Sequence, residues 1–122
     1  MATSNTASPQ WRRKTENGYV ITFVMDSGSA KTMAPRKMVP GLKPYKTVNT
    51  GKKFRVAEGT LIPNEGELRV EGMSNNTPVD ITAQVARITK PLASTTEMVD
   101  AGNVVITHKL GGLVKHLSPK AL

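Results

Sequence analysis

No cysteine occurs in the chain of 122 residues, which excludes disulfides and thiolate metal sites. No apolar run approaches the ~20 residues that a membrane-spanning helix needs. Residues 1–10 are polar and lack the apolar core of a signal peptide. These absences predict a soluble intracellular protein in the cytoplasm, without a membrane partner, or a piece cut from a longer polyprotein.

Aromatic residues are also scarce, at 4% of the chain, whereas basic residues give a net charge of +8. Residues 1–56 hold 11 basic and 2 acidic residues, while residues 57–122 hold 6 and 7. The basic half could bind nucleic acid or an acidic polypeptide. A nucleic-acid module needs aromatic side chains interleaved on its strands, so a solvated basic surface is the simpler interpretation.

The length fits one domain. Residues 1–12 begin with a run rich in Ser, Thr, Ala and Asn, and they are predicted to form a disordered leader or linker. Residues 13–122 are predicted to form the domain. Its pattern of β-branched residues and turn residues predicts an all-β fold with one short helix, as a small barrel or a folded sheet.

Residues 18–25 are apolar and β-branched, which predicts a strand buried on both faces. Residues 31–50 contain three prolines and predict an irregular loop. Hairpins are predicted around turns at residues 58–60, 74–78 and 111–112. A helix is predicted at residues 95–101, with Ser94 and Glu97 at capping-box spacing and Gly102 as its stop residue.

The strongest candidate for chemistry is Asp26, which ends the apolar run and is followed by Ser27 and Gly28. These three residues alone fit an ordinary turn at the end of a strand. Asp26 is, however, the only acidic residue between Glu16 and Glu58. Two carboxylates in contact cannot both ionise easily, so one serves as acid and the other as base. The hypothesis therefore requires a second copy of the chain.

Four segments carry a resemblance to a known family. Residues 24–30, Val-Met-Asp-Ser-Gly-Ser-Ala, are similar to the active-site signature of retropepsins. Later segments, in the family's order, resemble those of Copia-type retrotransposon proteases; they are residues 55–63, 66–70 and 90–102. The chain thus resembles a retropepsin-like aspartic protease of a Copia-like polyprotein. This resemblance implies an acid protease half-barrel that is active as a homodimer, in the cytoplasm or within a virus-like particle.

The resemblance also implies roles for particular residues. Asp26 would be catalytic and would meet its copy from the second subunit. The rest of the active-site loop would be Ser27, which bonds across the subunits, Gly28, which lines the peptide groove, Ser29 and Ala30. A flap that closes over the substrate would have its tip at Ala57, Glu58, Gly59 and Thr60. The substrate would be a polypeptide, such as the polyprotein itself, cleaved without metal, cofactor or covalent intermediate.

Three features depart from the family pattern. Ser29 replaces the usual Ala, and Glu58 places a charge at the flap tip. Residues 87–90, Arg-Ile-Thr-Lys, stand where many retropepsins have two apolar residues and a Gly beneath the active-site loop. Two alternatives therefore stay open. One is a retropepsin-like domain that has lost activity, and the other is a basic, β-rich nucleic-acid-binding module.

Overall fold

The computed structural model describes residues 8–16, 18–56, 58–74, 76–100, 103–108 and 111–116, the last two ranges as backbone. Three predictions lie outside the described residues: the first part of the leader at residues 1–7, the flap residue Ala57 and the helix stop Gly102. Across the described residues the chain is mostly β-sheet with one short helix, which confirms the all-β part of the predicted fold class.

The elements follow in chain order as β1 (Arg12–Thr15), β2 (Gly18–Ile21), β3 (Val24–Asp26), β4 (Met33–Pro35), β5 (Lys53–Arg55), β6 (Leu61–Pro63), β7 (Glu67–Ser74), β8 (Thr77–Ala86), β9 (Leu92–Ser94), α1 (Thr95–Asp100), β10 (Asn103–His108) and β11 (Gly111–His116). Three pairs form two-stranded sheets: β1-β2, β5-β6 and β10-β11. The remaining strands form a five-stranded sheet in the order β3-β9-β4-β8-β7. In the described part of the chain no sheet closes into a barrel.

The longest hairpin, β7-β8, is the one predicted from alternating residues, and its register runs from Glu67 opposite Gln84 to Ser74 opposite Thr77. The last four residues of β8 are buried because β4 covers that end of the strand from the other side. The core cluster comprises Ala34, Met38, Leu68, Ala83 and Val85. It therefore lies where β4, β7 and β8 meet.

The prediction of an irregular loop at residues 31–50 is wrong for the buried residues Met33–Pro35. Met33–Pro35 forms β4, which pairs in parallel with β8 and meets β9 through Met33 and Leu92. Only three residues take part, too few to show a two-residue period in the sequence. Pro35 is tolerated because it ends the strand, where a missing N–H interrupts the ladder least.

The single strand predicted at residues 18–25 is also wrong. The chain changes partners inside it: the Thr22 N–H donates to the Trp11 carbonyl at 2.8 Å, and the Val24 N–H donates to the Pro91 carbonyl at 3.0 Å. The result is two strands, β2 on β1 and β3 on β9. Neither is buried on both faces, since Val20 and Val24 are each 42% exposed.

At the two ends of the described chain the structure differs slightly from two further predictions. β1 begins at Arg12, one residue before the predicted domain boundary, and Trp11 packs against the core. The two last strands are confirmed as β10 and β11, but Gly111 and Gly112 are not their turn. They lie in β11, opposite His108 and Thr107, and the connecting residues 109–110 lie outside the described residues.

Two carboxylates near the start of β7 make the fold sensitive to acid. Hydrogen bonding by the Arg36 guanidinium holds the pKa of Glu65 below its ordinary 4.5. Hydrogen bonds from Gln84 and Tyr45 likewise lower the pKa of Glu67. A lowered pKa in the folded state means that the ionised group stabilises the fold above its ordinary pKa, and that this contribution disappears as the pH falls through the folded-state pKa.

We therefore expect the melting temperature to fall as the pH drops below about 4.5. Thermal melts between neutral and acidic pH would measure this in wild type and in Glu65→Gln, which should lose part of the dependence. Glu71→Gln, an exposed change on β7, is the matched control. Equal pH dependence in all three proteins would contradict the role given to Glu65.

Candidate active site

Asp26 ends β3 at the edge of the five-stranded sheet, opposite Ser94 of β9. Its side chain is half-buried, and Oδ1 accepts a hydrogen bond from the Gly28 N–H at 2.8 Å. The Ser29 N–H donates to the Asp26 carbonyl at 3.4 Å, which closes a tight turn. Within the described residues Oδ2 has no hydrogen bond. One carboxylate oxygen is therefore fixed and the other is available to a ligand.

Ser94 links the Asp26 turn to α1 through two hydrogen bonds. It is completely buried, and its Oγ donates to the Ser29 carbonyl at 2.7 Å while accepting from the Glu97 N–H at 3.1 Å. The second bond confirms Ser94 as the predicted cap of α1. The Ser94 N–H donates to Thr32 Oγ1 at 3.1 Å. Bonds at Ser29 and Thr32 thus hold the segment after Asp26 against β9 and α1.

The second half of the predicted capping box is wrong. Glu97 Oε1 does not return to the cap residue but accepts a close hydrogen bond from the backbone N–H of Thr32. Its Oε2 lies 3.8 Å from Lys31 Nζ. The Glu97 carboxylate therefore supports the segment that follows the Asp26 turn, in addition to its place in the first turn of α1.

The strand beside β3 is β9, which follows the segment at residues 87–90 that departs from the family pattern. The two strands pair in parallel, with Leu92 opposite Val24 and Ala93 opposite Met25. Two partly or fully buried apolar residues followed by the small Ser94 are what the packing requires. The cap at Ser94 is the sequence signal that could have located this strand, because the residues before a cap often belong to a strand entering the helix.

The predicted hairpin at residues 53–62 is confirmed as β5-β6, with Phe54 opposite Ile62. At its tip the Val56 N–H donates to the Thr60 carbonyl at 2.9 Å, and the Gly59 N–H donates to the Val56 carbonyl at 2.8 Å. Gly59 has φ +89°, a backbone conformation that glycine adopts without steric cost. The described tip residues Glu58, Gly59 and Thr60 are exposed.

A cavity of about 800 Å³ lies between the Asp26 turn and this hairpin. Of the predicted site residues, its wall includes Asp26, Gly28, Ser29 and Glu58. Four others are exposed and do not line it: Ser27, Ala30, Gly59 and Thr60. The structure thus brings together two segments that the sequence separates by about thirty residues.

Other wall residues were not assigned from the sequence. Three are basic, namely Arg55 at the end of β5 and Arg87 and Lys90 in the link between β8 and β9. The apolar part of the wall comes from Met33, Val56, Ile62, Ile88 and Leu92. The cavity thus combines apolar walls with a few charged groups, as ligand-binding clefts commonly do.

The described residues contain no group of three or more His, Cys, Asp or Glu side chains that could hold a metal ion. Nor do they contain a helix that is long and apolar enough to cross a membrane. No family model, curated protein or solved structure matches the chain.

Proposed function

We propose that the chain is one subunit of a retropepsin-like aspartic endopeptidase and that its fold is one half of an acid protease barrel. The observation that carries the proposal is the cavity of about 800 Å³, which has the Asp26 turn on one side and the β5-β6 hairpin on the other. In this arrangement the hairpin is the flap, and Asp26 supplies the carboxylate beneath it.

A second chain is needed because one carboxylate cannot act as both acid and base. Asp26 and Glu58 are the carboxylates in the cavity wall, and Glu58 lies at the exposed tip of the hairpin. β3 is the edge strand of its sheet, so Asp26 and the exposed Ser27 are accessible to another subunit. Two chains joined there would place two Asp26 carboxylates in contact.

In the proposed pair one carboxyl group is protonated and the other is ionised, because two like charges in contact oppose full ionisation. The ionised group takes a proton from water as the water oxygen forms a bond with the scissile carbonyl carbon. The protonated group donates to the carbonyl oxygen. The tetrahedral intermediate then expels the amine nitrogen, which receives a proton as the C–N bond breaks. The protons belong to the pair and not to either residue.

The nucleic-acid alternative is less well supported by the aromatic residues. Trp11 packs on the core and its indole N–H donates to the Thr89 carbonyl at 2.8 Å. The Arg12 guanidinium lies 5.5 Å from the Trp11 ring centroid and 5.7 Å from that of Tyr19. These rings are thus engaged by the protein's own arginine and are not a free platform for stacking bases.

The proposal is tested by peptide cleavage at acidic and near-neutral pH over a wide range of protein concentration, with sedimentation to measure self-association. The rate per chain should fall on dilution as dimers dissociate. Two copies joined by a flexible linker are the control, since their rate per chain should resist dilution. A chain that sediments as a monomer yet cleaves at an undiminished rate would overturn the two-subunit proposal.

A further inference from the structure

The wall of the 800 Å³ cavity carries more positive than negative charge. Arg55, Arg87 and Lys90 line it together with only two carboxylates, Asp26 and Glu58. All three basic side chains are exposed. In a partly enclosed cleft with apolar walls such an excess attracts negatively charged groups more strongly than it would on an open surface. The cavity is therefore electrostatically suited to an acidic segment of polypeptide.

Arg87 and Lys90 lie in a segment whose backbone is hydrogen-bonded at both ends. The Ile88 N–H donates to the Ala86 carbonyl at 2.9 Å, and the Thr89 carbonyl accepts from the Trp11 indole at 2.8 Å. The next residue after Lys90, Pro91, is fully buried, and its carbonyl accepts from the Val24 N–H. Arg87 and Lys90 thus have fixed backbones, and little ordering of the backbone is needed when they bind a ligand.

Neither of these two cations forms a hydrogen bond or ion pair with the described residues, although Arg87 also acts electrostatically on Glu65. Lys90 has no hydrogen bond or ion pair with any described residue. Arg87 contributes to lowering the pKa of Glu65, but that carboxylate is already hydrogen-bonded by Arg36. Arg55 differs, because its Nη1 donates to the Gly59 carbonyl at 3.1 Å and so supports the hairpin tip. Recognition of a ligand carboxylate therefore falls chiefly to Arg87 and Lys90.

The cations share the cavity wall with the proposed catalytic group, and Lys90 is near in the chain to the strand that pairs with β3. Asp26 lies opposite Ser94, and Lys90 comes four residues before Ser94. Leu92–Ser94 is strand β9, whereas Lys90 lies in a bend before it, so the span of four extended residues, about 13 Å at roughly 3.3 Å per residue, is an upper bound on the backbone distance from Lys90 to Ser94. An extended substrate covers the same distance in about four residues.

We infer that the cleft selects polypeptides that carry an Asp or Glu within about four residues of the cleaved bond, through ion pairs with Arg87 and Lys90. This inference rests on the proposed protease function and adds its substrate class. Because the cations are exposed, the gain in affinity is modest, about three- to tenfold for one carboxylate facing two cations. The gain should shrink as salt is added.

The test uses fluorescein-labelled decapeptides of Ala and Leu in which one Glu is moved along the chain, each paired with a peptide that has Gln at that position. Binding is measured by fluorescence anisotropy to the Asp26→Asn variant, which cannot consume the peptide. The Glu member should bind about three- to tenfold more tightly at the favoured position. A double variant, Arg87→Gln with Lys90→Gln, should remove the difference. Lys43→Gln with Lys46→Gln makes the same charge change outside the cavity and should keep it.

Each outcome is informative. The inference is overturned if the Glu and Gln peptides of every pair bind equally. It is also overturned if both double variants lose the affinity difference between Glu and Gln peptides to the same extent. Displacement of the acidic peptide by a single-stranded oligonucleotide at lower concentration than by unlabelled peptide would assign the cations to nucleic acid instead. The wild-type protein is then tested for cleavage of the same pairs. Cleavage of Glu and Gln peptides at equal kcat/KM rejects the acidic preference alone, whereas no cleavage of any peptide rejects the protease proposal.

Discussion

Asn in place of Asp26 is expected to lower kcat/KM for peptide cleavage by roughly 10³-fold, because an amide can neither hold nor release the proton that acid–base catalysis needs. The substitution preserves size and shape. Asn also keeps an oxygen that can accept the hydrogen bond from the Gly28 N–H, which now spans 2.8 Å. The melting temperature should therefore change little while activity is lost. Cleavage assays and thermal melts on the same preparations measure the two effects.

The matched control is Asp80→Asn, which removes an exposed carboxylate from β8, away from the cavity wall. It should cleave at the wild-type rate. Mixing equal amounts of wild type and Asp26→Asn gives a sharper check. If dimers form at random, about a quarter of them keep both carboxylates, so activity should fall to about a quarter of that shown by the same total amount of wild-type chain. Equal cleavage by wild type and Asp26→Asn would refute the catalytic role of Asp26.

Local patterns in the sequence predicted the elements whose partners are close in the chain. The β7-β8 and β5-β6 hairpins and the Ser94 cap of α1 each depend on residues a few positions apart. The errors concern long-range pairing. β4 is recognisable only from β8, about fifty residues later, and the break after Ile21 depends on Trp11 and Pro91. A partner that is distant in the chain leaves no periodic pattern in the sequence of the segment that it contacts.

The candidate site shows the same division. Asp26 and its turn could be predicted because a carboxylate followed by Ser-Gly after an apolar run is a local pattern. Its partner strand β9 could not, because that pairing joins residues about seventy positions apart. The structure places Leu92, Ala93 and Ser94 beside β3, and Arg87 and Lys90 in the cavity wall. The segment that departs from the family pattern in the sequence thus contributes to the proposed binding surface.

Ser94→Ala should both destabilise the fold and slow catalysis. Removing the hydroxyl leaves the Ser29 carbonyl and the Glu97 N–H without their partner beside a completely buried residue. A fully buried unpaired group costs about 1–3 kcal/mol; both hydrogen bonds are part-buried, so the free energy of unfolding should fall by about 2–4 kcal/mol, the lower part of the range for two groups. Denaturant unfolding measures this loss. Ser74→Ala, at the exposed end of β7, is the control and should cost little.

The same substitution separates a positioning role from a purely structural one. Ser29 is held by Ser94 and also closes the turn that fixes Asp26, so a loosened Ser29 lets the carboxylate shift. A displacement of about 1 Å at a catalytic group can cost about 10²-fold in rate. Measured well below the melting temperature, kcat should therefore fall by up to about 10²-fold while KM changes less, since the side chains of the cavity wall are unaltered. Wild-type kcat in a destabilised Ser94→Ala protein would show that Ser94 supports the fold but does not position Asp26.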